Sequence, residues 1–325
     1  MTVWRIEHEQ LETAASLWDA AVDRTPGVDT FCASSAWAFA AASSFPDVSP
    51  PVMVTDGVAC CGMRTQRTDD GIVLVGLDPI WGFATPFVGP PLRAATMLAT
   101  RLDVEEEWDL AYVAGQREDS ELTAALAHVA QGRWDLYRGP EEHRLRADLT
   151  GGFDAWFMRR SSRFRQRIRR LERDAADAGL EIEDISAAPP DGILDRLVAI
   201  ETEGWKGEEG TGLTSPDLVD FYRRMCARLA ARDHLRVLVA RLGGLDVGFV
   251  LGGVRGDTYR GLQLSYHRGH AVLGVGHLLQ IAQIRRLVDE AVPVYDLGMD
   301  MEYKHRWADR VDTTFGVIVR PAGSV

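Results

Sequence analysis

The sequence predicts an α/β (α+β) protein with enough chain for two domains. Three observations carry that expectation. The 325 residues amount to roughly two domains at about 100–200 residues each. Their first half alternates helical with extended periodicity. From Phe153 onward the order is helix, strand, two helices, a three-strand meander, a glycine-bearing loop, helix, strand, helix and strand.

In the first half Leu11, Ala14, Ala15 and Trp18 have helical spacing, which predicts a helix over Leu11 to Ala21. Pro51 to Thr55 and Gly57 to Met63 read as strands joined by the turn pair Asp56-Gly57. Further strands are predicted at Ile72 to Leu77, Trp108 to Ala114 and His143 to Leu149, with helices near Arg93 to Leu102 and Ser120 to Gln131. The segment Pro79 to Leu92 is rich in Pro, Gly and aromatic residues, so it either lines a cleft or packs on its own core.

Phe153 to Gly179 reads as one long helical stretch, with an apolar stripe of Phe164, Ile168, Leu171, Ala175 and Ala178. Its opposite face is basic, with Arg159, Arg160, Arg163, Arg165, Arg167, Arg169, Arg170 and Arg173. A strand at Leu180 to Ile185 precedes helices near Gly192 to Trp205 and Pro216 to Ala231. The meander is Leu235 to Leu242, Val247 to Val254 and Tyr259 to Tyr266, with glycine-bearing turns. After the loop Arg268 to Gly276 come a helix from His277 to about Ala291 and strands at Val294 to Leu297 and Thr313 to Val319.

Composition bounds the function. With 46% apolar and 26% charged residues the chain is ordinary globular protein, which excludes disordered and fibrous readings. Its 36 basic against 48 acidic residues give a net charge of -12, which works against nucleic acid as a partner. Cys32, Cys60, Cys61 and Cys226 show no CxxC spacing, so reduced thiols are expected and structural zinc is not. The opening MTVWRIEHEQ has charges where a signal peptide needs an apolar core, and no run of about 18 apolar residues occurs. A soluble cytoplasmic protein without a membrane partner is the expectation.

The chemistry-bearing segment of the second half is Ala271-Val272-Leu273-Gly274-Val275-Gly276 before His277. A strand, a glycine loop and a helix start suit a pyrophosphate, because glycines allow close backbone approach and free N–H groups bind the anion. Leu264, Gly274, Val275, Gly276, His277 and Leu278 are therefore the predicted donor-binding residues.

Four segments carry a resemblance: Ser161 to Arg170, Glu201 to Gly207, the glycine loop, and Tyr295-Asp296-Leu297-Gly298 followed by Tyr303-Lys304. Together with the element order they resemble tandem GNAT-type acyltransferases related to Fem-type aminoacyltransferases and to the acetyltransferase family associated with cellulose-biosynthesis operons. The loop departs from the superfamily pattern, having Ala271 where Arg or Gln is usual. The resemblance implies two GNAT-like domains in tandem, each a central mixed sheet flanked by helices. Residues 1–150 would form a degenerate copy and 151–325 the transferase domain. It further implies acetyl-CoA or another acyl-CoA as donor, with direct attack by the amine of a small-molecule acceptor. Two alternatives stay open: an aminoacyl-tRNA-dependent ligase of Fem type, and a non-catalytic GNAT that only binds a ligand.

Of the 36 basic residues only Lys206 and Lys304 are lysine, and both fall within these motifs. An ammonium differs from a planar guanidinium in size and tunability, so lysine retained there suggests a task arginine fails at. The resemblance places Lys304 at the transferring acyl group, where it would stabilise an oxyanion. Amine attack on a thioester also needs a base and an acid for the thiolate. Asp300, Glu302, Glu201 and Glu203 are candidate bases, and Tyr266 or Tyr303 candidate acids. Trp205, Lys206, Arg163 and Arg167 are candidate substrate-binding residues, the arginines for an anionic acceptor or a tRNA end. His267, His270 and His277 match no zinc spacing, so no metal is expected.

Overall fold

The turn pair Asp56-Gly57 reverses the first hairpin. Asp56 Oδ1 accepts hydrogen bonds from the N–H groups of Val58 and Ala59 at 2.9 and 2.8 Å, which pins strand register at Thr55 opposite Cys60. The computed structural model describes residues 2–45, 48–69, 71–105, 107–204, 212–213 and 215–323. They divide into two compact units, 1–142 with 313–325, and 143–312.

The first unit is built from β1 (Trp4–Ile6), α1 (Ala15–Val22), α2 (Ser35–Ser44), β2 (Val52–Thr55), β3 (Cys60–Thr68), β4 (Gly71–Gly76), β5 (Phe87–Val88), α3 (Pro91–Val104), β6 (Leu110–Gln116) and α4 (Glu121–Ala130). Its sheet runs β1, β2, β3, β4, β6, with β5 on β3, and β4 and β6 pair in parallel. The aromatic segment near Trp81 packs on its own core. Trp81 meets Trp37 and Phe45 at centroid distances of 5.0 and 5.9 Å, and Trp37 Nε1 donates to Asp78 at 2.9 Å.

The chain then runs through β7 (Trp134–Asp148), α5 (Gly152–Met158), α6 (Ser162–Asp177), β8 (Glu181–Asp184), α7 (Pro190–Thr202), α8 (Pro216–Ala230), β9 (Leu235–Leu242), β10 (Leu245–Arg255), β11 (Thr258–Tyr266), α9 (Val275–Asp289), β12 (Val294–Met299) and β13 (Arg310–Pro321). The expected division at 150/151 differs from the units at both ends. The break falls at 142/143, and Phe315 to Val319 of β13 register against β6 within the first unit.

The long helix expected from Phe153 to Gly179 is broken. Ser161 leaves helical conformation at ψ 151° and its Oγ accepts from the Phe164 N–H at 3.2 Å, so a new helix starts there. Arg165 ties the break by donating to the carbonyl oxygens of Met158 and Arg160.

In the second unit the sheet order is β7, β12, β11, β10, β9, β8, antiparallel except for the parallel pair β11 and β12. One face carries α5, α6 and α9. Their core includes Trp156, Phe164, Ile168, Tyr259, Ile281, Ile284, Leu287, Tyr295 and Trp307. Gln263 Nε2 donates to Tyr222 Oη of α8 at 2.9 Å, whereas neighbouring Leu264 meets the start of α9. Adjacent strand residues point to opposite faces, so α8 lies on the other side of the sheet.

Two bulges shape the middle of this sheet. Leu251 pairs with Gln263 but Gly252 with Gly261, which leaves Leu262 as an extra residue in β11. Asp296 pairs with Arg146 but Gly298 with Leu145, which leaves Leu297 extra in β12. Bulges re-aim side chains: the first puts Arg260 and Gln263 on one face although they are three residues apart.

Candidate active site

β11 and β12 pair only over Thr258–Arg260 and Val294–Asp296, then continue to Tyr266 and Met299 without pairing to each other. The far end of β11 meets the start of α9. A Cβ on Gly276 would stand 3.1 Å from the Tyr266 ring and 3.2 Å from Leu264 Cδ2, so glycine is what lets the helix lie this close. Gly274 caps the helix at φ 65° with no side chain of its own. The N–H groups of His277 and Leu278 bond Gly274 O at 2.8 and 3.1 Å. Val275 and Gly276 are therefore the N–H donors at the helix start, where the dipole favours an anion.

The six predicted donor residues gather here with different tasks. Leu278 is a core side chain packed with Leu171 and Ala175. Leu264 and Val275 belong to the apolar cluster beneath the helix. His277 lies half-buried with its ring 5.7 Å from Trp307, and its buried Nε2 has no hydrogen-bond partner among the described residues. Burial first, then the fields of Arg167 and Arg306, push its pKa down to about 4. Arg163 and Arg167 are exposed on α6, and with Arg173 and Arg306 they make no ion pair among the described residues. Most arginines elsewhere are paired: Arg159 and Arg160 with Asp309, and Arg196 with Asp246 at 2.7 Å.

On the other face the sheet is polar and buried. Asp296 Oδ1 accepts from Arg260 Nη1 at 2.7 Å and from the Gly298 N–H at 2.8 Å. Arg144 and Arg146 each lie 3.6 Å from its Oδ2, and Arg146 reaches Asp312 at 3.0 Å. Burial raises the Asp296 pKa, but the three guanidiniums and the Gly298 N–H outweigh it and hold the carboxyl below its ordinary value. Lys304 belongs to a 3-10 turn after β12, and its Nζ donates to Met299 O at 3.0 Å.

Glu203 and His267 form a pair across the end of β11, with Nε2 to Oε2 at 2.9 Å and a backbone bridge between Gly204 and His267. The Gly269 N–H donates to His267 Nδ1 at 3.1 Å. That leaves Nε2 as the protonated nitrogen of the neutral ring, donating to Glu203. Asp300 is likewise tied, to His305 at 2.6 Å. Glu201 is buried, with Oε1 accepting from the Leu213 N–H at 3.2 Å. Tyr303 is 49% exposed, yet burial of its hydroxyl, then the nearby Tyr266 phenol, raises its pKa. Tyr303 in turn contributes to raising Tyr295, after burial of that phenol.

The structure thus groups Lys304, Tyr303 and Tyr266, places Glu203 by His267, and keeps the glycine loop beside Arg167. Trp205 and Lys206 lie outside the described residues. Among the described residues no group of three or more His, Cys, Asp or Glu is placed to hold a metal, and no helix is long and apolar enough to cross a membrane. Sequence reasoning passed over His267 as the partner of Glu203, Arg306 near His277, and Arg260 with Asp296. Only Asp296 had a signal, its place in the Tyr295 to Gly298 motif.

Residues 162–305 match the family model of an acetyltransferase (GNAT) domain, and the chain is an acyltransferase by that domain. Among solved structures the chain is similar to FemX, with 12% identity, TM-score 0.65 and 97% of each chain covered. It is also similar to the C-terminal domain of a putative lysylphosphatidylglycerol synthetase from Agrobacterium fabrum, with 13% identity, TM-score 0.59 and coverage of 95% and 92%. A tandem GNAT protein from the clavulanic acid biosynthesis pathway aligns over 100% of both chains at 12% identity and TM-score 0.50. At these identities the likeness is one of fold. No curated protein matches the chain.

Proposed function

We propose, with the GNAT domain as premise, that the protein transfers an acyl group from a CoA thioester to the amine of a small-molecule acceptor. The observation that carries the reading is the start of α9. Its two N–H donors have no capping side chain, Gly276 permits close approach, and Arg167 and Arg306 act on His277 beside it. A diphosphate there meets backbone donors, the helix dipole and two guanidiniums, which together do the work of the arginine or glutamine missing at Ala271.

The remaining groups supply direct amine attack. Glu203, oriented by His267, takes the ammonium proton, so that a neutral amine reaches the thioester carbonyl carbon. The C–N bond forms as the C–S bond breaks, and Tyr303 or Tyr266 gives its proton to the departing thiolate. Lys304 supplies fixed positive charge at the transfer point. The narrower kinship with the cellulose-biosynthesis-associated acetyltransferases rests on the four motif segments alone.

A second reading, an aminoacyl-tRNA donor, is favoured by one observation: Arg163, Arg167 and Arg173 are exposed along α6 and make no ion pair among the described residues. The net charge of -12 opposes it. The test is a thermal midpoint measured with acetyl-CoA and, separately, with a CCA-ended RNA minihelix. A ligand bound only by the folded protein raises the midpoint. We expect a rise with acetyl-CoA; a rise with the RNA alone would reverse the two readings.

A further inference from the structure

Arg163, Arg167, Arg170 and Arg173 follow one another at intervals of four, three and three, so they share one stripe of α6, about 15 Å long at 1.5 Å per residue. All four are exposed. Arg163, Arg167 and Arg173 make no ion pair among the described residues, and Arg170 reaches Asp174 only at 3.9 Å. Glu172, the one acid within residues 159–173, is taken by Arg285 at 2.6 Å. Like charges three and four residues apart weaken a helix. The chain keeps that repulsion along the whole stripe, whereas Arg196, Arg223, Arg224 and Arg236 all meet carboxylates.

The stripe runs beside the glycine loop. Leu171 of α6 packs with Leu278 of α9, its Cδ1 would stand 2.7 Å from a Cβ on Gly274, and Arg167 acts on His277. Two exposed aliphatic side chains accompany it. Val272, in the turn Arg268–Leu273 before Gly274, is 92% exposed, and Met158, whose carbonyl oxygen accepts from Arg165 of α6, is 62% exposed. A diphosphate at the start of α9 is served by Arg167 and Arg306, which leaves the rest of the stripe without an occupant.

An acidic protein fits this surface. A helix presents carboxylates at the same spacing of three and four, with apolar side chains to meet Val272 and Met158. The unit holding α6 has 26 basic and 26 acidic residues, so it does not repel such a partner by net charge. An RNA backbone offers nothing to the aliphatic side chains and brings far more charge against the chain's net -12. A bilayer calls for a helix with an open apolar face, and the apolar face of α6 is buried.

We propose that the acyl group arrives as a thioester on the phosphopantetheine arm of a small acidic carrier protein, which docks on the α6 stripe while the arm's phosphate lies at the start of α9. The proposal rests on the thioester reading above and deepens it by naming what carries the donor. Transfer forms the C–N bond, breaks the C–S bond and leaves the thiol on the carrier. CoA contains the same arm, so acetyl-CoA is a donor that lacks only the docking.

Titration calorimetry on the full chain tests this. The probes are an acyl carrier protein with acetyl on its arm, the same carrier without the arm, acetyl-phosphopantetheine, acetyl-CoA, a CCA-ended RNA minihelix and phosphatidylglycerol vesicles. We expect the loaded carrier to bind at least about tenfold tighter than acetyl-phosphopantetheine. Arg170→Glu combined with Arg173→Glu should weaken both forms of the carrier at least about tenfold and leave acetyl-CoA binding unchanged; the matching glutamine pair should fall between. A loaded carrier that binds no tighter than the free arm overturns the proposal. So does a loss in the glutamate pair that acetyl-CoA shares equally, or tighter binding of the RNA or the vesicles than of the carrier. Failure of the thioester reading shows differently, since acetyl-CoA and the free arm then do not bind. The docking surface stands in that case only if the armless carrier binds and the glutamate pair abolishes its binding, and otherwise falls too.

Discussion

Lowering the pH perturbs one half-buried ring set among cations. His277 lies between Arg167 of α6, Arg306 and the Trp307 ring, and its pKa is pushed down to about 4 from an ordinary 6.5. The folded protein therefore refuses a proton that the unfolded chain accepts. Below pH 6.5 the unfolded chain binds more protons, so stability falls as pH drops and levels off near 4; above 6.5 the group contributes nothing. The gap, at about 1.36 kcal/mol per pH unit, sets a ceiling of about 3 kcal/mol. Solvent screening of the partly exposed ring reduces the expected loss to about 1–2 kcal/mol. Arg167→Gln removes one of the two cationic fields, so the ring should titrate at higher pH and the acid loss should shrink. Ring-selective NMR gives the titration midpoint, and urea unfolding at pH 7.5 and pH 5, with His277→Asn as the reference, gives the stability. A parent ring titrating near 6.5, or one indifferent to Arg167→Gln, would refute the reasoning.

Three further perturbations address other links in the chain from sequence to function. Ser161→Ala removes the hydroxyl that starts α6 and should cost about 1 kcal/mol in urea unfolding without altering the acetyl-CoA shift. Asp296→Asn leaves Arg260 and Arg144 buried beside a neutral amide, which should cost about 3–5 kcal/mol; a cost under 1 kcal/mol would mean that water or another group already screens them. Gly276→Asp puts a carboxylate among the helix-start donors and should abolish the acetyl-CoA midpoint shift, while Gly276→Ala, which needs the Tyr266 ring to give by only a few tenths of an ångström, should fold and bind more weakly.

The sequence showed those elements whose burial is one-sided. In the α6 stripe Phe164, Ile168, Leu171 and Ala175 are buried as their spacing demands, whereas Ala178 falls past the helix end and is exposed. By contrast α2 escaped notice because nine of its ten residues are buried, so it has no polar face to set a period. The break at Ser161 was also hidden, since a serine among arginines reads as an ordinary polar residue until its hydroxyl is seen on the Phe164 N–H. In the site, the geometry of the glycine loop was legible because it is set by local backbone. The grouping of Arg260, Asp296, Gly298 and Lys304 was not. It depends on a one-residue bulge in each of two strands, and alternation counted along either strand assigns the faces wrongly beyond that point.

The return of the final strand to the first unit has a consequence for how the molecule is made. Residues 143–312 emerge from the ribosome as one unbroken stretch, whereas the first unit has to wait for Phe315 to Val319 before β6 gains its antiparallel neighbour. The usual vectorial order, in which the N-terminal unit closes first, is therefore inverted. Until synthesis passes residue 319, β6 presents an unpaired edge, and the pockets for the buried Phe315, Val317 and Val319 stand open. A nascent chain stalled in that interval is a sticky one, because its first unit still lacks a strand after all of residues 143–312 have been made.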